Sequence, residues 1–141
     1  MPSVQFFYED TAFSLLSPDS INTWISNCIQ QEGFTLQALN FIFCSDEYLH
    51  KINVEYLDHD YYTDIITFDN SEEGDQIEGD IFISVERIQD NSEEHTVSFM
   101  EELHRVIIHG VLHLTGYNDK SDSEKKEMRE KENAYLSLLQ F

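Results

Sequence analysis

Apolar and polar positions recur along this chain with periods that predict an ordered series of strands and helices. Val4 to Tyr8 is aromatic and β-prone, which predicts a first strand. Ile21, Trp24, Ile25, Cys28 and Ile29 follow at helical spacing. Ser17-Pro18-Asp19-Ser20 opens that helix, with Ser17 as its cap, Pro18 in its first turn and Asp19 at the positive end of its dipole; Gly33 stops it. Thr35 to Cys44 is a largely apolar second strand. Ser45-Asp46-Glu47 caps a helix whose inward face takes Tyr48, Leu49, Ile52 and Tyr56. Beyond a polar loop over 57–62, the runs Thr63 to Phe68 and Gly79 to Ser84 flank an acidic turn containing Gly74 and predict a hairpin.

Val85 to His95 predicts a short polar helix, with His95 in a solvent-facing loop position and His50 and His59 on the surface. Val97 to Leu114 is apolar nearly all round and is therefore the buried central helix. Ser121-Asp122-Ser123-Glu124 has the form of a capping box, and Met128, Tyr135, Leu138 and Leu139 pack the last helix onto the body. This order of elements predicts an α+β fold, a small mixed sheet packed with helices around a buried central one. At 141 residues, the span 1–141 reads as one domain.

Composition narrows the classes. With 40% hydrophobic and 13% aromatic residues, the chain can bury a core and is not expected to be disordered despite its charge. No apolar run approaches membrane-spanning length and no basic leader precedes Phe6, so a soluble cytoplasmic protein is expected. Cys28 and Cys44 have no metal-type spacing and read as buried free thiols. The net charge is −20, and no Lys or Arg occurs before Lys51. Nonspecific binders of nucleic acid show a basic face, so this balance argues against that class.

Candidate chemistry concentrates in His109-Gly110-Val111-Leu112-His113-Leu114-Thr115-Gly116-Tyr117-Asn118-Asp119. Histidines four apart on a helix lie on one face, one turn above the other, and can close on one metal ion. The next helical turn cannot supply a third ligand to the same ion, so the chain must turn back. Gly116 is the residue type that ends helices in a left-handed conformation, after which Asp119 can return to the ion. Three protein ligands with a vacant fourth position describe a catalytic zinc site. His104, five residues before His109, points about 140° away and cannot join it. Zinc proteases of the H-E-x-x-H kind carry Glu beside the first His; Gly110 stands there, which disfavours peptide hydrolysis. Thr63, Asp64, Thr67 and Tyr117 are polar candidates for substrate positioning, beside plainer roles in strand capping, turns and packing.

With these pieces assembled, the chain resembles the YbeY family of bacterial endoribonucleases, or rRNA maturation factors. The family's motif H-G-x-L-H-L-x-G-Y-D-H is matched by His109 to Asp119. Its segments P-T-D-V-L-S-F and G-D-I-x-I-S are similar to Tyr62-Thr63-Asp64-Ile65-Ile66-Thr67-Phe68 and Gly79-Asp80-Ile81-Phe82-Ile83-Ser84, and Met128 and Glu132 match its final helix. The resemblance implies a zincin-like α+β fold and one zinc ion, or another divalent transition metal, on His109, His113 and Asp119. It implies a cytoplasmic metallo-endoribonuclease that cuts single-stranded RNA in 16S rRNA 3′-end maturation and ribosome quality control. The implied partners are ribosomal RNA and the ribosome or its proteins, with no membrane. A ribosome-assembly or binding module that keeps the metal for stability is the alternative. Two departures from the family pattern matter: Asp119 stands where the family has a third histidine, and Leu57 stands where L-N-x-x-Y-R has its Arg.

Overall fold

The computed structural model describes residues 3–139. Strands β1 (Ser3–Glu9), β2 (Thr35–Cys44), β3 (Ile65–Asp69) and β4 (Gln76–Ser84) form one sheet in the order β1-β2-β4-β3. β1, β2 and β4 run parallel, and β3 is antiparallel to β4. Helices α1 (Pro18–Gln31), α2 (Asp46–Leu57), α3 (Val85–His95), α4 (Phe99–Leu114) and α5 (Asp122–Leu136) complete the fold. The mixed α+β architecture is the one expected.

Strand alternation sends one row of side chains to each face of the sheet. Register places Val4 against Leu39, Phe41 against Ile81 and Phe43 against Ile83. These residues face the main core, which α1 completes with Ile21, Trp24, Ile25, Cys28 and Ile29, and α4 with Leu103, Ile107, Ile108, Val111 and Leu112. α2 covers the opposite face, where Leu49 packs with Cys44 and Ile66. β2 and β4 hand over to α2 and α3 through serine caps: Ser45 Oγ accepts from Tyr48 N, and Ser84 Oγ from Arg87 N, each at 3.1 Å. Ser98 caps α4 in the same way, and Ser121 with Glu124 forms the expected capping box on α5. Both cysteines are buried and free. Among the described residues no helix is long and apolar enough to cross a membrane.

Several local expectations are corrected. Ser17 precedes α1 but is left-handed, at φ 53° and ψ 54°, and its side chain makes no cap bond. Its backbone carbonyl meets the helix in place of the hydroxyl, accepting from Ile21 N at 3.1 Å. Tyr56, in the last turn of α2, is 66% exposed, and its ring meets Phe68 in a T-shaped contact with centroids 6.1 Å apart. Asn53 takes the buried position one turn earlier and donates to the Tyr61 carbonyl at 2.9 Å. Leu138 lies beyond the end of α5 and is exposed, whereas Met128 and Tyr135 are buried. His95 ends α3 instead of lying in a loop, with Nδ1 3.2 Å from Oε1 of the buried Glu102. β3 starts at Ile65, so Thr63 and Asp64 precede the strand.

Candidate metal centre

α4 ends in the geometry its sequence predicts. Gly116 adopts φ 106°, Tyr117 N donates to Leu112 O, and Gly116 N donates to His113 O, both at 3.1 Å. This paired closure needs a left-handed residue after the cap, which only glycine adopts without steric cost. It reverses the chain so that Asp119 faces the last two turns of the helix. His109 Nε2 and His113 Nε2 lie 3.0 Å apart, and Asp119 Oδ2 is 3.3 Å from the first and 3.4 Å from the second. A tetrahedral ion with bonds of about 2.0–2.1 Å separates its ligand atoms by about 3.3–3.4 Å. The three atoms therefore stand at the spacing of one face of such a tetrahedron, and the group can hold a metal ion.

Each imidazole is held from behind. His109 Nδ1 is 2.6 Å from Glu132 Oε2, and His113 Nδ1 is 2.9 Å from the Tyr117 carbonyl oxygen. A carbonyl only accepts, so His113 carries its proton on Nδ1 and presents a lone pair at Nε2; Glu132 imposes the same arrangement on His109. Burial pulls the His109 pKa down, but the Glu132 hydrogen bond and the carboxylates of Glu132, Asp119 and Asp64 together hold it above the ordinary imidazole value. The field that favours a proton on His109 equally favours a cation between the two rings. Burial pushes Glu132 up, yet its bonds from His109 and Arg105 bring it below the usual carboxylate range. The side chains of His109, His113 and Asp119 remain 21–41% exposed, so the group is reachable from solvent.

Two carboxylates outside the ligand set organise the centre, and neither was assigned a role from sequence. Glu132 is buried on α5 and also accepts from Arg105 Nη1 at 2.9 Å. Its legible signals are the match to the family's final helix and an acid on the inward stripe of α5, between Met128 and Tyr135. Glu32, after α1, accepts from the Tyr117 hydroxyl at 2.7 Å, from the Tyr135 hydroxyl and from Lys131 Nζ at 3.4 Å. It thereby fixes the residue whose carbonyl orients His113.

The other sequence candidates divide. Asp64 lies at the mouth of β3, its backbone carbonyl accepting from Ser84 N at 3.0 Å and its Oδ2 from Asn91 at 3.4 Å. Burial raises its pKa more than its hydrogen bonds and His109 lower it. Thr67 sits within β3 opposite Ile81, a strand role. His104 is buried beside Trp24, ring centroids 6.2 Å apart, away from the ligand triangle. Leu57, 38% exposed, ends α2. Gly110 faces the sheet: a Cβ there would lie 2.9 Å from Ile65 Cδ1 and 3.2 Å from Ile81 Cδ1. A Glu side chain there would have to displace both isoleucines, so packing as well as sequence disfavours the protease arrangement.

The family model described as Endoribonuclease YbeY matches residues 8–140. A curated relative of that name from Cytophaga hutchinsonii is 53% identical over 139 residues, covering 99% of this chain and 97% of its own. Another from Amoebophilus asiaticus is 52% identical, covering 95% and 91%. The fold is similar to the solution structure of TM1509 from Thermotoga maritima, at a TM-score of 0.67 and 26% identity over 96% of this chain and 87% of that one. A match of this extent, over a chain that brings His109, His113 and Asp119 to one point, places the protein in the endoribonuclease YbeY family.

Proposed function

We propose that this chain is a metal-dependent endoribonuclease that cuts single-stranded RNA in the cytoplasm, in 16S rRNA 3′-end maturation and ribosome quality control. In this reading His109, His113 and Asp119 hold one zinc ion, and the chain works against ribosomal RNA together with the ribosome or its proteins. The observation that carries it is the ligand triangle, with edges of 3.0, 3.3 and 3.4 Å. Two imidazoles and one carboxylate are a donor set that suits zinc and leaves one position open. An ion bound there supplies Lewis acidity, activating a water and stabilising charge on a phosphoryl oxygen.

The chain's own residues prepare that site. Glu132 and the Tyr117 carbonyl fix the tautomers of the two histidines, so both Nε2 lone pairs converge. Arg105 holds Glu132 in place from the far side. Asp119 in place of a third imidazole lowers the net charge of the site by one unit, which tempers the acidity of any water activated there.

The test is zinc content and single-stranded RNA cleavage for the wild type, His113→Ala and Asp119→Ala. We expect about one zinc per chain in the wild type, loss of tight binding in both variants, and cleavage that disappears with the metal. Full zinc affinity in Asp119→Ala would remove the third ligand. A second reading, a ribosome-binding module with a structural ion, is favoured by the net charge of −20 and by an apolar Leu57. Zinc-loaded protein that cuts no RNA, with cellular function intact in His113→Ala at preserved stability, would select it.

A further inference from the structure

RNA presents a negative charge at every phosphate, and this chain has eight Lys and Arg against 28 acids with which to meet it. Half of those cations are committed or misplaced. Arg87 is bound to Asp46, Nη2 to Oδ2 at 2.7 Å. Lys131 reaches Glu32 and lies over the Tyr117 ring. Arg105 is mostly buried, its guanidinium divided between Glu132 at 2.9 Å and Asn133 at 2.8 Å. Lys51 is exposed, but α2 carries it on the face of the sheet opposite α4.

The remaining four, Lys120, Lys125, Lys126 and Arg129, are exposed and follow Asp119 within ten residues. Over 120–131 five cations meet four acids, so this segment is net positive in a chain that is otherwise strongly negative. Among the described residues, Arg129 is the one of these four whose side chain makes an ion pair. Its Nη1 lies 4.0 Å from Glu132 Oε1, on the carboxylate whose other oxygen is 2.6 Å from His109 Nδ1. Glu132 already has close donors in Arg105 and His109, and among the described residues none accepts a hydrogen bond from Arg129. Its side chain is 62% exposed. An unspent planar fork of donors beside the metal ligands suits bidentate binding of a phosphate.

We propose that Arg129 grips an RNA phosphate outside the scissile one, anchoring the strand where it passes α5 on the Glu132 side of the His109, His113 and Asp119 group. The assignment rests on the ribonuclease reading above. Arg129 is a substrate-binding residue, so its loss acts on affinity and spares the metal.

The test measures binding of a fluorescein-labelled single-stranded RNA oligonucleotide to the zinc-loaded full chain across a salt series, with KM and kcat for its cleavage. Arg129→Ala is expected to raise Kd and KM about tenfold while leaving kcat within about twofold. It should flatten the slope of log affinity against log salt by roughly 0.7, the share of one phosphate contact. Arg129→Lys should recover part of the affinity, and Lys51→Ala should change nothing. Zinc content and melting temperature should match the wild type throughout. Wild-type affinity and salt slope in Arg129→Ala, the same loss from Lys51→Ala, or loss of zinc in Arg129→Ala would each overturn the assignment. If the wild type cleaves RNA and Arg129→Ala is unchanged, only the role of Arg129 falls. If the wild type neither binds nor cleaves RNA, the ribonuclease reading falls with it.

Discussion

Glu32 shows how a single side chain outside the ligand set can matter to the site. Burial alone would raise its pKa, but the Tyr135, Tyr117 and Lys131 donors bring it below the ordinary carboxylate value of 4.5. A carboxylate depressed by folding contributes stability that is complete above its unfolded pKa and disappears as pH falls through the folded one. Glu32→Gln is therefore expected to cost about 1–3 kcal/mol at neutral pH. The gap from the wild type should close in acid, below the folded pKa. Urea melts at neutral and acid pH check this; a gap that stays constant with pH would refute the charged role. Sequence reasoning could expect His109, His113 and Asp119 to meet, as they do, because histidines at helical spacing followed by glycine and a carboxylate signal themselves locally. It could not find the roles of Glu32 and Glu132, whose partners lie on distant segments brought near only by packing.

At the scale of elements, Gly110 lets α4 lie close against β3 and β4, and Gly79 lets β3 lie close against β4. Gly79, paired with Asp69, has no room for a side chain: a Cβ would sit 2.3 Å from the Phe68 carbonyl oxygen. Backbone cannot yield there as a side-chain tip can. Gly110 meets only the flexible ends of Ile65 and Ile81, and alanine would regain about 1 kcal/mol of helix propensity at that position. Gly79→Ala should therefore lower the melting temperature well beyond Gly110→Ala, which thermal melts followed by circular dichroism would show; the reverse order would contradict the packing described. The helices with strong periodicity were legible in sequence, as were the capping box and the Gly116 turn. The unusual conformation of Ser17, the later start of β3 and the exposure of Tyr56 were not. Each depends on where an element meets its neighbour and not on its own pattern.

For the whole molecule, the order of elements was enough to indicate a mixed sheet with helices around a buried one. The strand order β1-β2-β4-β3 was not readable, because parallel pairing of β2 with β4 joins residues some forty positions apart. Nor could composition show that the excess of acid is unevenly spread, with its relief beside the ligands. The loop over 115–121 joins these scales. It carries Asp119 between two anchored ends, the closure of α4 at Gly116 and the Ser121 box that starts α5. On the proposed ligand set, an ion would then be a clasp: α5 holds His109 through Glu132, and the ion would hold the start of α5 through Asp119. Binding energy and docking of the C-terminal helix become one linked quantity, worth about 4 kcal/mol at a thousandfold excess over the dissociation constant. Chelation should accordingly lower the melting temperature and speed amide exchange first in α5, measured by hydrogen exchange with and without zinc, while β2 and β4 stay protected. A site made to cut RNA would in that case also act as the fastener for the last helix of the fold.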